Sequence, residues 1–128
     1  MDIYVAGKTD DWERVRRVQD SLAELGHMIT YDWTVNVEDD VDTGLEADDR
    51  VRREWADDDQ LGVKQADLAI FLVESEGLSG TLIELGMALA YEKEIIVVGV
   101  PERNSVFFSN SSITHVPHED DIIAAIPE

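Results

Sequence analysis

Residues 67–73 constrain the fold of this chain more than any other segment. They read Asp-Leu-Ala-Ile-Phe-Leu-Val, and a nearly continuous apolar run of this length is typical of a strand buried on both faces of a parallel sheet. Shorter apolar runs predict four more strands, over residues 3–6, 28–31, 94–100 and 113–116. Because parallel strands need crossover connections, helices are expected between them.

Helical periodicity is indeed found between the apolar runs. Val15, Val18, Leu22 and Leu25 recur at the spacing of one helix face, and Gly26 is expected to end that helix. Further helices are predicted over residues 47–65, 81–93 and 118–126, while residues 35–50 are acidic and weakly patterned and are expected to form a mobile or partly helical loop. We therefore predict one α/β domain over residues 1–128: a three-layer sandwich of about five parallel strands with helices on both faces, flavodoxin-like or Rossmann-like.

The charge of the chain is extreme. Twenty-nine acidic residues oppose ten basic ones, which gives a net charge of -19, and 44% of the residues are hydrophobic, which argues against disorder. The acids are spread along the chain and lysine is scarce, a pattern that favours a halophilic protein over a single acidic interaction surface. Duplex nucleic acid is not an expected partner, because its binding requires clustered Lys and Arg.

Other features narrow the class of protein. The chain has no cysteine, which excludes disulfides and thiolate metal sites. No apolar run is long enough to span a bilayer, and the first residues lack the basic region of a signal peptide. His27, His115 and His118 do not have metal-ligand spacing. We expect a cytoplasmic protein without membrane association, metal or cofactor.

The strongest chemical signal is the segment 80–86, which reads Gly-Thr-Leu-Ile-Glu-Leu-Gly. It follows the central apolar run and puts Glu84 in the first turn of a predicted helix, at the sheet edge where open α/β folds bind ligands. Gly80 lets the backbone approach a ligand, and the helix N-terminus offers free N–H groups. A carboxylate there can act as nucleophile or base; the alternative is a glutamate that only stabilises the helix start.

Four segments, in this order along the chain, resemble the nucleoside 2-deoxyribosyltransferase family, which includes 2′-deoxynucleoside 5′-phosphate N-hydrolases. They are Tyr-Val-Ala-Gly at 4–7, Gly-His at 26–27, Ala-Asp at 66–67 and the segment 80–86. The resemblance implies cleavage or transfer at the N-glycosidic bond of 2′-deoxynucleosides or their 5′-monophosphates, in nucleotide salvage. It makes Glu84 the nucleophile of a covalent glutamyl-deoxyribosyl intermediate. It also implies a homodimer or higher homo-oligomer.

The resemblance also assigns supporting residues. Asp59, eight residues before the Ala-Asp aspartate, is similar to the acid that holds the sugar hydroxyls and positions the nucleophile; the alternative is that residues 57–59 form a solvated acidic face. Tyr4 and Gly7 resemble the family's first-strand pocket, although Tyr4 could equally pack in the core. Asn110 lies in the region from which family members reach a neighbouring subunit's site.

Three further residues complete the predicted binding set. Lys8 could meet a phosphate or the acidic cluster, and Trp33 could stack on a nucleobase or anchor the core. Ser79 could bond a sugar or phosphate, but Leu78 stands where the monophosphate hydrolases have a phosphate-binding Ser and many transferases an Asp. The residues therefore leave open the need for a 5′-phosphate and the acid that protonates the leaving base.

Three other readings stay open. Residues 77–84, Gly-x-x-Gly-Thr-x-x-Glu, also resemble the Lonely Guy phosphoribohydrolases, although the Pro-Gly-Gly of that family is missing. NAD glycohydrolases of the Toll/interleukin-receptor type have a broadly similar fold and catalytic Glu. The third reading is a non-catalytic nucleotide-binding module.

Overall fold

The fold is an all-parallel sheet with helices packed on it. The computed structural model describes residues 1–43, 49–73, 79–99 and 106–127. The sheet contains β1 (Asp2–Ala6), β2 (Met28–Ile29), β3 (Leu68–Leu72), β4 (Glu94–Val98) and β5 (Ile113–Val116). Their order is β2-β1-β3-β4-β5, and each neighbouring pair is parallel. This confirms the predicted three-layer α/β fold.

The crossovers are helical. The helices are α1 (Trp12–Glu24), α2 (Thr34–Thr43), α3 (Asp49–Gln65), α4 (Ser79–Ala90) and α5 (Ile122–Ala125), and 3₁₀ turns cover Thr9–Asp11, Val106–Ser109 and Glu119–Asp121. No helix among the described residues has both the length and the apolar character needed to cross a membrane.

The core is centred on the three inner strands of the sheet, β1, β3 and β4. Every residue of β3 is buried, as are residues 3–6 of β1 and 95–98 of β4. Both faces of these strands are covered, which explains why their sequences are continuously apolar rather than alternating. Each buried aliphatic side chain contributes about 1.5–3 kcal/mol, so the ends of β1 and β3 are a rigid base for a site. Tyr4 is the polar exception within β1, with no exposed surface.

Some predicted boundaries shift for identifiable reasons. The acidic segment 35–50 is partly helical, because α2 covers its first part and α3 begins at Asp49, while residues 44–48 lie outside the described part. Helix α4 runs over Ser79–Ala90 rather than 81–93. It ends in a turn where Glu92 adopts a left-handed φ of 57° and the Lys93 N–H bonds to the Ala88 carbonyl at 2.9 Å. A glycine normally signals this ending, so the sequence gives no warning of it. Gly26, by contrast, ends α1 as predicted, with φ 91°.

Candidate active site

A pocket lies where the chain changes direction across the sheet. The chain leaves β1 through α1 to β2 on one side of it, and from β2 it returns through α2 and α3 to β3 on the other side. The strand order therefore reverses at β1, and open α/β folds bind ligands in the crevice outside the carboxyl ends of such strands. A pocket of about 240 Å³ occurs there, and it is formed by the loop after β1, the residue before α2, helix α3 and the start of α4. Its described lining residues are Gly7, Lys8, Thr9, Asp10, Trp33, Asp59, Gly80, Thr81 and Glu84.

Glu84 lies in the second turn of α4, not in the first, because the helix begins two residues earlier than predicted. Its Oε2 atom is buried and has no hydrogen-bond partner among the described residues. Burial raises the pKa of Glu84 to about 8; the Tyr4 hydrogen bond opposes this rise and the charge of Asp59 adds to it. An orphaned carboxylate oxygen in a pocket wall is costly to stability, and a ligand would satisfy it.

The Tyr4 hydroxyl connects Glu84 with Asp59. It donates to Asp59 Oδ1 at 3.3 Å and is also within hydrogen-bonding reach of the Glu84 carboxyl. Burial, followed by the charges of the two carboxylates, raises the pKa of Tyr4 far above its ordinary value. The phenol therefore stays protonated, and it serves as a fixed donor rather than a base.

Asp59 is the acid that α3 brings to the pocket, whereas its neighbours Asp57 and Asp58 are exposed. Burial raises the pKa of Asp59 to about 6; the Tyr4 hydrogen bond lowers it, and the charge of Asp58 raises it further. Asp59 lines the pocket and its two neighbours do not, because adjacent residues of a helix point in different directions.

The Tyr4 hydroxyl cannot donate a hydrogen bond to the carboxyls of Asp59 and Glu84 at the same time. One phenolic proton serves one carboxylate at a time, so the other carboxyl bonds the phenol oxygen only while it keeps its own proton. Two close carboxyls with raised pKa values hold such a proton near neutral pH. The cluster of Tyr4, Asp59 and Glu84 can thus present one ionised and one protonated carboxyl side by side.

Trp33 is both a core anchor and a pocket wall. Its side chain is 9% exposed, and its indole N–H donates to the Val5 carbonyl at 2.8 Å. The ring nevertheless lines the pocket. The bond to β1 fixes the ring against the strand end, and stacking of this ring on a nucleobase stays a prediction.

A polar network holds the segment that carries Trp33. The Thr34 N–H donates to Asp32 Oδ1 at 3.0 Å, and the Thr34 hydroxyl donates to the same oxygen. Arg16 of α1 donates to the Thr34 hydroxyl at 3.1 Å, pairs with Glu38 at 2.8 Å and lies 5.0 Å from the centre of the Trp12 ring. This network ties the start of α2 to α1.

The loop after β1 forms the opposite side of the pocket. Lys8 Nζ lies 3.7 Å from Asp10 Oδ2, a long contact to a side chain that is 81% exposed, so the pair is weak. A Cβ on Gly7 would approach Val15 Cγ2 to 2.7 Å, so this position needs glycine for the loop to rest on α1. Gly80 has open space instead, with nothing within 4 Å of its Cβ position.

Two predicted residues are not part of the described pocket. Ser79 is the first residue of α4, and its side chain lies outside the described part. Asn110 is exposed, and its Oδ1 accepts bonds from the Ser112 N–H at 2.9 Å and the Ser112 hydroxyl at 2.6 Å. Its predicted role toward a neighbouring subunit stays a prediction.

Sequence reasoning missed three polar residues that line the pocket: Thr9, Asp10 and Thr81. Thr9 and Asp10 follow Gly7 in the loop after the first strand, and Thr81 follows Gly80 in the helix-opening segment. The available signal was a polar residue within three positions after a predicted pocket glycine. Thr81 is also 3% exposed, which is unusual for a polar residue without a role in packing or binding.

The comparisons with known proteins identify a family and support the fold. The nucleoside 2-deoxyribosyltransferase family model matches residues 3–116. The structure of Clostridium botulinum CMP N-glycosidase BcmB aligns with a TM-score of 0.66 at 18% identity, over 98% of this chain and 97% of that one. The 2-deoxyribosyltransferase from Bacillus psychrosaccharolyticus aligns with a TM-score of 0.70 at 18% identity, over 95% and 90%. At this identity the two structures establish the fold alone. No curated protein sequence matches the chain.

Proposed function

The chain belongs to the nucleoside 2-deoxyribosyltransferase family, and on that premise we propose that it breaks the N-glycosidic bond of 2′-deoxynucleosides or their 5′-monophosphates. The sugar is passed through a covalent ester on Glu84 to water or to a second nucleobase. One observation carries the proposal: Glu84 Oε2 is buried in the pocket wall without a hydrogen-bond partner among the described residues. A nucleophile has to keep such an oxygen free for the reacting carbon.

The proposed reaction has two displacements. In the first, a Glu84 oxygen forms a bond to C1′ while the C1′–N bond breaks and its electron pair leaves with the base. In the second, water or an acceptor base attacks C1′ and the glutamyl ester opens, which restores the carboxylate. Both transition states carry positive charge on the sugar, which the neighbouring carboxylates stabilise electrostatically.

Asp59 and Tyr4 support this chemistry in different ways. The Tyr4 hydrogen bond holds the Glu84 carboxyl in place from the rigid end of β1, and it favours the ionised form that attacks. Asp59 faces the same pocket and is in position to bond the sugar hydroxyls. Trp33 closes the pocket with an apolar surface that suits a planar base.

The direct test separates catalysis from binding. With the wild-type protein in concentrated KCl, we expect 2′-deoxynucleosides or their monophosphates to release free base, detected by chromatography. Glu84→Gln should reduce the rate by about a thousandfold or more while the fold persists. Glu24→Gln, a change of an exposed glutamate in α1, is the matched control. Acid quenching and intact-mass measurement should detect the deoxyribosyl ester on the wild-type chain alone.

Two outcomes contradict the proposal. Undiminished turnover by Glu84→Gln would remove the nucleophile. Nucleotide binding without base release over hours would instead favour the non-catalytic binding module.

Lys8 tests the need for a 5′-phosphate. It is the cationic side chain among the described residues that line the pocket, and its contact with Asp10 is weak enough to be replaced by a ligand anion. If the substrate carries a 5′-phosphate, Lys8→Gln should raise KM for monophosphates about tenfold or more and leave nucleosides unaffected. Equal effects on both substrates would mean that the pocket does not bind phosphate through Lys8.

A further inference from the structure

Gly62 lies on the same face of α3 as Asp59, one helical turn further along. It is buried, and its carbonyl accepts a hydrogen bond from the Thr30 hydroxyl at 2.7 Å. Glycine is the least favourable residue in a helix interior after proline. Its presence inside a helix of this length therefore calls for a packing reason.

The reason is the close approach of α3 to β1. A Cβ at position 62 would lie 2.8 Å from Tyr31 Cβ, 2.9 Å from Tyr4 Cδ1 and 3.0 Å from Tyr4 Cε1. Tyr31 Cβ is attached directly to the backbone, and the Tyr4 ring has no exposed surface. Neither neighbour can turn aside, so the helix itself would have to move outward by roughly half an ångström.

Such a movement acts on the catalytic cluster. Ordinary O–H···O bonds are about 2.5–3.0 Å long, and the Tyr4–Asp59 bond is already 3.3 Å. Any outward shift of α3 breaks the Tyr4–Asp59 hydrogen bond, because Asp59 lies on the same helix face as Gly62 and moves with it.

We propose that Gly62 is a positioning residue: the missing side chain lets α3 pack on the Tyr4 ring closely enough for Asp59 to join Tyr4 and Glu84. The inference rests on the function proposed above for that cluster. It assigns to Gly62 the spacing of the cluster and not the stability of the fold.

Gly62→Ala tests the spacing. Alanine favours the helix but adds the clashing methyl group, so kcat should fall about tenfold or more, with a smaller change in KM. A second readout needs no substrate. Carboxyl-carbon NMR of the resting protein should show that the pKa of Asp59 drops from about 6 toward its ordinary range, because the displaced carboxyl becomes hydrated.

Two combined variants test whether the effect passes through Asp59. On an Asp59→Asn background, Gly62→Ala should cost little further activity, about twofold at most, since the bond it disturbs is already lost. On the wild-type background, Asp59→Glu should lower the activity. On the Gly62→Ala background the same change should restore part of the activity, because the longer side chain spans the wider distance between α3 and Tyr4. An equal loss on both backgrounds would overturn the inference.

Gly86→Ala is the matched control, because a Cβ at this glycine in α4 has nothing within 4 Å. It should leave kcat and the Asp59 titration unchanged. The inference is wrong if Gly62→Ala behaves like this control, and also if it does not fold, since the glycine would then serve the fold. If the wild type releases no base at all, the proposed function fails, while the NMR titration still decides the role of Gly62.

Discussion

At the scale of single residues, the proposed chemistry depends on one carboxyl, Glu84, whose charged form is disfavoured by burial. Glu84 is surrounded by the strand ends and by Tyr4, and its Oε2 has no hydrogen-bond partner among the described residues. Residues that serve catalysis are often those that cost stability. A stability measurement is therefore an independent test of how Glu84 is held.

We expect Glu84→Gln to be more stable than the wild type at alkaline pH. The folded-state pKa of about 8 lies above the ordinary 4.5, so this group stabilises the fold fully below pH 4.5 and the contribution is lost as the pH rises through 8. Glutamine does not ionise. Its advantage should be near zero at pH 4 and grow to several kcal/mol at pH 9, with about 5 kcal/mol as the upper bound that the shift sets.

Urea unfolding at constant high salt measures this difference at each pH. Because the charge of Asp59 acts on Glu84 in the wild type alone, the difference between the two profiles reports Glu84 together with its coupling to Asp59. Parallel pH profiles for the two proteins would show that the Glu84 carboxyl is as well solvated in the fold as in the unfolded chain.

The sequence predicts some site residues well because their signals are local. Gly7 and Lys8 directly follow the first predicted strand, and Glu84 lies in the helix-opening segment 80–86 that comes after the central one. Asp59 required the family resemblance, since three adjacent acids look alike without a helix phase. The role of Gly62 has no local signal, because it depends on Tyr4 and Tyr31, which are far away in sequence.

At the scale of elements, the strands were predictable and several helix ends were not. A strand that is buried on both faces, such as β3, has a continuous apolar sequence, and this run predicts the strand. The end of α4 depends on Glu92 in a left-handed conformation, and the start of α2 depends on Asp32 and on Arg16 from another helix. Contacts between elements of this kind leave no periodic pattern for sequence reasoning to detect.

The Arg16 network gives a prediction for α2. Arg16→Met removes the pair with Glu38 and the bond to Thr34, so the free energy of unfolding should fall by about 1 kcal/mol. Because the start of α2 follows Trp33, KM should rise several-fold, while kcat changes little since Glu84 and Asp59 lie on other helices.

Arg17→Met is the matched control, since Arg17 is the exposed neighbour on the same helix. Chemical unfolding and steady-state kinetics on the two variants make the comparison. Equal effects of both changes would show that the loss of a positive charge, and not the loss of the network, is responsible.

At the scale of the whole molecule, an apolar groove lies along α4 on a strongly acidic protein. Ile83 and Phe107 are each 62% exposed and line an apolar groove of about 380 Å³ along α4. Such a groove on an otherwise acidic surface is compatible with the expected homo-oligomer, which stays a prediction. The net charge of -19 destabilises the folded state, because like charges at this density repel one another when the chain is compact.

This charge predicts that salt stabilises the protein. The Debye length falls from about 10 Å at 0.1 M to about 3 Å at 1 M salt, so the free energy of unfolding should rise steeply over that range of KCl. One position tests the cause. Glu24 is exposed in the last turn of α1, four residues after the exposed Asp20, and that turn has no basic residue.

Glu24→Lys should relieve both the like-charge pair and the unfavourable acid at the helix C-terminus, and raise the free energy of unfolding by about 0.5–1 kcal/mol at 0.1 M KCl. In molar KCl the gain should shrink toward zero, because the repulsion it removes is already screened. Glu24→Gln should give an intermediate gain. If the gain is the same at both salt concentrations, then self-repulsion is not what salt relieves, and halophilic adaptation loses its physical basis in this chain.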